Sequence, residues 1–274
     1  MNPDHQIKAR LAEIPFFADF DIAGLEVSKL PGLTNHNYRI STEECDWVLR
    51  IPKTETNHYI DRNAEAHNQR LAHKIEIAPL WCWRDDGGSS VTAMIPAAAQ
   101  MDRQSIANPQ NLLRLATSIS LLHSSSVNFQ GEVSIGPVLE SYYSMLTAGD
   151  KKRLQARFTR AQGHLSRLIA GDDLKVPSHN DLVMENLLLA GGELWVIDWE
   201  YSAMASPYWD LATVCNAADF DNDQSERFLA QYNQTGKSLE STRLHYYREL
   251  IALLSDCWLA HFNPEATLIS SKVP

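Results

Sequence analysis

The chain has 274 residues, of which 44% are hydrophobic and 21% charged, and its formal net charge is −10 at pH 7. This is the composition of an ordinary globular protein, and the acidic balance argues against a nucleic-acid backbone as the main partner. No apolar run approaches the roughly 20 residues of a membrane span. Four scattered cysteines without metal-ligand spacing are typical of a reducing compartment, so we expect a cytoplasmic protein with no membrane partner.

The first third of the chain predicts a small antiparallel sheet that carries one helix. Apolar residues at helical spacing occur over residues 60–75. The segment PGLTNHN, residues 31–37, predicts a turn after the first strand. The strand candidates in chain order are LEVSKL, YRIST, WVLRIP, APLWCW and SSVTAMI.

From Pro96 onward the pattern changes to helices. Asn108 as a cap, followed by Pro109, predicts the start of a long helix. Two short strands are expected within residues 176–202. The other predicted helices cover residues 150–171, 225–234 and 244–262. These patterns predict an α+β protein with a β-rich lobe over residues 1–97 and a larger, mainly helical lobe over residues 98–274.

The segment VPSHNDLVMENLLLAGGELWVIDWEYS, residues 176–202, places polar groups at the ends of two apolar runs. Phosphoryl transfer from ATP needs a carboxylate that orients and deprotonates the attacking hydroxyl, and oxygen ligands that hold Mg²⁺. Asp181 suits the first role, and Asn186 and Asp198 suit the second. Each of them alone is more typical of a turn cap or a strand end, but the three in this order favour a kinase. His179 is predicted to support the loop by hydrogen bonding.

This segment resembles the catalytic loop and metal-binding segment of the choline/ethanolamine kinase family, within the aminoglycoside-phosphotransferase-like kinases. Those kinases carry CHND…EN and IDWEY, where this chain reads SHNDLVMEN and VIDWEYS. The bacterial lipopolysaccharide-type choline kinases are especially similar. The resemblance implies a bilobal, protein-kinase-like fold, with ATP and Mg²⁺ as cofactors.

Three further motifs extend the resemblance toward the N-terminus. PGLTNHN is similar to the family's glycine-containing phosphate loop, in which backbone N–H groups cradle phosphates. WVLRIP resembles the strand whose basic residue, here Arg50, contacts the phosphates. IDRNAEAHN resembles the helix whose glutamate, here Glu65, pairs with that basic residue. The loop residues implied for nucleotide binding are Gly32, Thr34, Asn35 and Asn37.

Aromatic and acidic residues near the catalytic segment predict a pocket for a cationic alcohol. A quaternary ammonium group donates no ordinary hydrogen bonds, so aromatic faces and negative charge bind it. Two of the candidates have a second interpretation, Asp210 as a brace of the catalytic loop and Glu200 as a neighbour of the metal. The candidates are Trp199, Glu200, Tyr201, Trp209, Asp210 and Trp258.

The sequence therefore predicts an ATP-dependent phosphotransferase that acts on a small-molecule alcohol, with choline or ethanolamine favoured. A thiamine kinase, an aminoglycoside-type phosphotransferase and a pseudokinase are the alternatives. The complete set of expected polar residues argues against a pseudokinase. A hydrolase and a metalloprotease are disfavoured because neither G-x-S-x-G nor H-E-x-x-H occurs. The oligomeric state stays open.

Overall fold

The structure, a computed structural model, describes residues 3–32, 35–53, 60–168, 174–236 and 238–262. The chain divides into two compact units, Met1–Ala99 with Leu188–Glu200, and Gln100–Leu187 with Tyr201–Pro274. A small antiparallel sheet and a larger helical part are both present, which confirms the predicted fold class. The predicted lobe boundary at residues 97 and 98 stays a prediction.

An antiparallel sheet of five strands forms the first unit's framework. The strands are β1 (Glu26–Leu30), β2 (Asn35–Ser41), β3 (Asp46–Pro52), β4 (Trp81–Arg84) and β5 (Ser90–Ala93). Their order is β1-β2-β3-β5-β4, so β3 is central. All five strands were predicted. Strand β2 begins earlier than expected, at Asn35 within the predicted turn, because Asn35 pairs with Pro52 of β3.

Two helices belong to this unit, α1 (Pro3–Ala12) and α2 (Arg62–Lys74). The predicted helix α2 begins after Asp61, whose side chain accepts hydrogen bonds from the backbone N–H groups of Asn63 and Ala64 at 3.0 and 3.1 Å. The sequence pattern did not predict α1, which has few apolar residues. Its fully buried Leu11 contributes to the core of the unit.

The sheet separates an apolar core from a polar face. Trp47 and Leu49 alternate with more exposed neighbours along β3, and both belong to a cluster of buried apolar residues on one face of the sheet. Since successive side chains of a strand point to opposite faces, Arg50 lies on the other face. The buried residues of the cluster are Leu11, Ile14, Phe17, Leu25, Ile40, Trp47, Leu49 and Val91.

Five short strands complete the sheets in the part of the chain that the structure describes. They are β6 (Ala99–Gln100), β7 (Val176–Ser178), β8 (Leu187–Ala190), β9 (Glu193–Val196) and β10 (Ala203–Ala205). Residues 176–202 thus contain three strands rather than the two predicted. A turn at Gly191 and Gly192, whose φ angles are 60° and 87°, joins β8 to β9.

The second unit is mainly helical. Its helices are α3 (Arg103–Ile106), α4 (Pro109–Ser124), α5 (Ile135–Met145), α6 (Ala148–Leu168), α7 (Pro207–Ala217), α8 (Asn222–Asn233) and α9 (Ser241–Phe262). Helix α9 packs against α5, α6 and α7. The patterns predicted α4, α6, α8 and α9 and did not predict α7, which is buried on all sides from Pro207 to Cys215 and so lacks an amphipathic period. No helix among the described residues is both long and apolar enough to span a membrane.

Candidate active site

Arg50 joins two carboxylates in the first unit. Its Nη1 donates to Asp198 Oδ1 at 2.8 Å, and its Nη2 donates to Glu65 Oε1. Arg50 comes from β3 and Glu65 from α2, while Asp198 follows β9. The structure therefore brings together three residues that lie up to 148 positions apart in the sequence.

A second arginine extends this ion-pair chain. Arg62 Nη1 donates to Glu65 Oε2 at 2.8 Å and lies 3.4 Å from Glu200 Oε2. The complete chain of alternating charges is Asp198, Arg50, Glu65, Arg62 and Glu200. Sequence reasoning missed Arg62, because an arginine at the first position of a helix is usually a solvated residue.

Burial and neighbouring charges shift the pKa values of this cluster. Burial, with a contribution from the negative charge of Asp198, raises the pKa of Glu200 to about 8 against the opposing effect of Arg50. Burial works against the charge of Arg50, but Glu65 and Asp198 outweigh it and raise the pKa of the guanidinium.

The glycine at position 88 makes room for Arg62. A Cβ atom at Gly88, where φ is +87°, would lie 2.5 Å from Arg62 Nε and 2.8 Å from its Cδ. The glycine between β4 and β5 therefore allows a buried arginine to reach two carboxylates.

Gly88→Ala is expected to lower the free energy of unfolding by about 1–3 kcal/mol more than Gly191→Ala, because of overpacking against Arg62. Gly191 is the matched control, since its φ is +60° and a Cβ atom there would have no described neighbour within 4 Å. Both substitutions share the cost of a left-handed backbone, about 1–2 kcal/mol. Urea denaturation measures the difference, and equal losses would show that Arg62 gives way without cost.

The predicted phosphate loop connects β1 to β2. A Cβ atom at Gly32 would lie 2.5 Å from the backbone oxygen of Asn35 and 2.7 Å from Asn37 Nδ2, so only glycine fits this turn. Asn37 Nδ2 donates to the backbone oxygen of Pro31 at 3.1 Å and holds the turn. Asn35 is buried. Thr34 lies outside the described residues, and the role of the loop in nucleotide binding stays a prediction.

Three carboxylates of the first unit could hold a hard divalent cation. Glu65, Asp198 and Glu200 each present an oxygen, and these oxygens lie within 4.8 Å of one another. Oxygen ligands of this kind suit Mg²⁺. Asp198 has φ of 63°, an uncommon conformation for a residue other than glycine, and such conformations are concentrated at functional sites.

Asp210, on α7, organises the catalytic segment of the second unit. Its carboxylate accepts hydrogen bonds from the backbone N–H groups of His179 at 2.9 Å and Asn180 at 2.7 Å, and from His123 Nε2 at 3.0 Å. Burial opposes the charge of Asp210, but the hydrogen bond from His123 and the electrostatic interaction with that ring hold the pKa of Asp210 below the usual range. Of the two interpretations of Asp210, the structure supports the brace, because the carboxylate is fully buried.

The loop that Asp210 holds presents Asp181 and Asn186. Asn186 Nδ2 donates to the backbone oxygen of Asp181 at 2.9 Å and to its Oδ2 at 3.1 Å. The N–H of Asp181 donates to His179 Nδ1 at 3.2 Å, so the fully buried His179 supports the loop. Since the nitrogen of the Asn186 amide faces Asp181, its oxygen is the atom left to serve as a metal ligand.

The predicted pocket residues lie in different surroundings. Trp199, in the first unit, is completely buried, and its Nε1 donates to the backbone oxygen of Val196 at 2.9 Å. Trp209 Nε1 donates to the backbone oxygen of Asn180 at 3.0 Å, and the backbone oxygen of Tyr201 accepts from Asn180 Nδ2 at 2.9 Å. These contacts give the two tryptophans structural roles, and their part in a pocket stays a prediction.

Trp258, on α9, is partly exposed. It lies 5.3 Å from Phe262, ring centroid to centroid. Tyr142, on α5, packs edge-on against Phe262 at 6.4 Å. Sequence spacing did not indicate Tyr142, which lies over 100 positions from its partner.

Sequence reasoning also missed two residues behind Asp210. His123, on α4, and Tyr232, on α8, are joined by a 2.8 Å hydrogen bond between His123 Nδ1 and the Tyr232 hydroxyl. Both are buried, so the chain Tyr232–His123–Asp210 fixes the brace from the interior. A histidine at the end of an amphipathic helix carries no local signal for such a role.

Comparison of the sequence with known proteins shows the family to which the chain belongs. The sequence model of APH, the phosphotransferase enzyme family, matches residues 26–250. The chain belongs to this family. The predicted resemblance to the aminoglycoside-phosphotransferase-like kinases is thereby confirmed.

Two relatives are Protein LicA from Haemophilus influenzae and the same protein from a second strain of that species. The first is 28% identical over 221 residues, which cover 77% of this chain and 63% of the relative. The second is 27% identical over 216 residues, which cover 75% of this chain and 79% of the relative. The chain thus spans less than two thirds of the length of the first relative.

Two solved structures share the fold over most of this chain. A choline/ethanolamine kinase family protein from Mesorhizobium loti has a TM-score of 0.80 and 28% identity, covering 96% of this chain and 89% of its own. The choline kinase LicA from Streptococcus pneumoniae has a TM-score of 0.81 at 24% identity, covering 93% and 90%, and this likeness concerns the fold.

Proposed function

We propose that the protein is a kinase that transfers the γ-phosphoryl group of ATP to the hydroxyl group of a small cationic alcohol, with choline favoured over ethanolamine. The observation that carries the proposal is the braced loop of the second unit. There the buried carboxylate of Asp210 accepts hydrogen bonds from the consecutive backbone N–H groups of His179 and Asn180. In the same loop Asn186 Nδ2 donates to Asp181 Oδ2 at 3.1 Å. Such rigidity serves a group that must meet a reacting hydroxyl in one geometry.

In the proposed reaction Asp181 orients the alcohol and accepts its proton. The alcohol oxygen forms a bond to the γ-phosphorus, the bond from that phosphorus to the β-γ bridging oxygen breaks, and ADP leaves. The proton passes from the alcohol to the Asp181 carboxylate. Catalysis of this type depends on positioning and on electrostatic stabilisation, because the protein forms no covalent bond to the phosphoryl group.

The first unit would bind ATP and Mg²⁺. Arg50, fixed by Glu65, would neutralise phosphate charge, and the turn at Gly32 would offer backbone N–H groups. Asp198 would ligate Mg²⁺, which when bound would neutralise charge on the phosphates. The role of Asn186 as a metal ligand stays a prediction from the sequence. Glu200 lies beside Asp198 in the carboxylate cluster, which supports its role as a metal neighbour over its role in the alcohol pocket.

The names of the relatives support choline as the alcohol, since two of the similar structures are described as choline or choline/ethanolamine kinases. The aromatic cluster of Tyr142, Trp258 and Phe262 supports an alcohol with a quaternary ammonium group. We also place the protein in the cytoplasm, because Cys45, Cys82, Cys215 and Cys257 are all free thiols.

A panel of alcohols tests the choice of acceptor. ADP release from MgATP is measured with choline, ethanolamine, thiamine and an aminoglycoside, each against an alcohol-free control. We expect the highest kcat/KM with choline, and Trp258→Ala is expected to raise KM for choline with little change in KM for MgATP. A higher kcat/KM with thiamine or the aminoglycoside would contradict the choice of choline, and turnover with none of them would indicate a pseudokinase.

A further inference from the structure

Both terminal nitrogens of the Arg50 guanidinium already donate to carboxylates of the protein. Nη1 donates to Asp198 and Nη2 to Glu65. Nε is buried and has no partner within the described residues. A phosphate that approaches Arg50 in this arrangement therefore meets a guanidinium whose charge two carboxylates already neutralise.

The two carboxylates differ in how easily Arg50 can release them. Glu65 is 1% exposed and is also held by Arg62 at 2.8 Å. Asp198 is 27% exposed, and Arg50 is its ion-pair partner at 2.8 Å. Loss of the Glu65 contact would leave a charge buried, whereas Asp198 can turn to another cation. Asp198 is therefore the partner that Arg50 exchanges.

The same ion pair also restricts Asp198. Its Oδ1 accepts from Arg50, and the guanidinium holds a full positive charge beside the carboxylate that would ligate Mg²⁺. A divalent cation at Asp198 must compete with this charge. Conversely, a phosphate at Arg50 must compete with the negative charge of Asp198.

We propose that the Arg50–Asp198 ion pair is a latch that couples the binding of metal and nucleotide. The inference rests on the proposed function. A metal ion that takes Asp198 frees Arg50 Nη1 for a phosphate, and a phosphate that takes Arg50 frees Asp198 for the metal. Each ligand alone bears the whole cost of breaking the pair, whereas the two together share it. The coupling is reciprocal by thermodynamic necessity.

Two variants test the latch. Removal of the arginine should strengthen metal binding at Asp198, and removal of the aspartate should strengthen phosphate binding at Arg50. In Arg50→Gln the affinity for Mn²⁺ without nucleotide, measured by electron paramagnetic resonance, should rise about tenfold or more, the effect of one hydrogen bond to a charged group. In Asp198→Asn the affinity for ATP in EDTA, measured calorimetrically, should rise by about the same factor.

Matched controls separate the latch from a general effect of charge. Arg62→Gln and Glu200→Gln alter the other end of the same ion-pair chain but leave the Arg50–Asp198 contact in place. Their gains in Mn²⁺ and ATP affinity should be clearly smaller. Equal gains in control and latch variants, or no gain in Arg50→Gln and Asp198→Asn, would overturn the proposal.

Failure of the latch is distinguishable from failure of the proposed function. A wild-type protein that binds MgATP, combined with latch variants that show no gain, overturns the latch alone. A wild-type protein that binds neither Mn²⁺ nor MgATP overturns both. If Arg50→Gln does not fold, as judged by thermal unfolding, the near-isosteric Asp198→Asn and its Glu200→Gln control decide the question.

Discussion

Asp181→Asn is expected to lower kcat by about 10²- to 10⁴-fold, the usual contribution of a general base. Asparagine has the size of aspartate and can still accept the hydrogen bond from Asn186 Nδ2, so the loop should keep its geometry. It cannot take the proton of the alcohol. Affinity for MgATP should be unchanged, because the residues proposed to bind it are different ones.

A comparison of kcat with nucleotide affinity checks this assignment. Asp223→Asn is the control, since Asp223 is an exposed carboxylate on α8 of the same unit. Its kcat should match that of the wild type. Near-normal kcat in Asp181→Asn would mean that another group accepts the proton.

Asp210→Ala is expected to lower the free energy of unfolding by about 3–5 kcal/mol, as expected when one partner of a buried polar network is lost. The substitution leaves the backbone N–H groups of His179 and Asn180 and the ring of His123 without their shared acceptor. Activity should fall as well, because Asp181 follows directly in the loop that Asp210 holds.

Urea denaturation measures this loss, with Asp219→Asn as the control. Asp219 pairs with Arg103 at 3.0 Å, and both side chains are more than half exposed. Surface pairs of this kind contribute about 0–1 kcal/mol. If the two substitutions lowered the free energy of unfolding by the same amount, Asp210 would not be the brace of the loop.

The pH dependence of stability provides a second test of Asp210. Its pKa is lowered in the folded protein, so its contribution is fully present above the pKa of an unfolded aspartate, about 3.9. The contribution is lost as the pH falls through the lowered pKa. The stability difference between wild type and Asp210→Asn should therefore be constant at higher pH and shrink only below about pH 4. A difference that shrinks near neutral pH would contradict this account.

The sequence drew attention to Asp181 and Asn186 because the signals in that segment are local. Asp181 and Asn186 are separated by five positions and hydrogen-bond to each other. The helix α2 has a clear apolar period, and the resemblance to the kinase family singled out Glu65 on it. Such short-range patterns are readable before any tertiary contact is known.

Long-range features could not be predicted in the same way. The ion-pair chain depends on Arg62 and Glu200, which are 138 positions apart. The brace depends on His123, which is 87 positions from Asp210. Neither histidine nor arginine at a helix end differs in sequence from an ordinary surface residue. Their roles follow from packing, which a periodic pattern does not encode.

The two tryptophans beside the catalytic segment have structural contacts that the sequence did not indicate. Trp199 and Trp209 were predicted to line a pocket because they lie next to the catalytic segment in sequence. In the structure both are buried, and each indole N–H donates to a backbone oxygen. Proximity in sequence does not distinguish an aromatic residue of the core from one that faces a ligand.

The measurement that tests the central claim most directly is phosphorus NMR of the protein with MgATP and the panel of alcohols. We predict that, with choline, a phosphomonoester signal grows in step with ADP, and that Asp181→Asn gives neither signal at a comparable rate. ATP that stays intact, or that yields only ADP and inorganic phosphate with every alcohol, would contradict the proposed phosphoryl transfer.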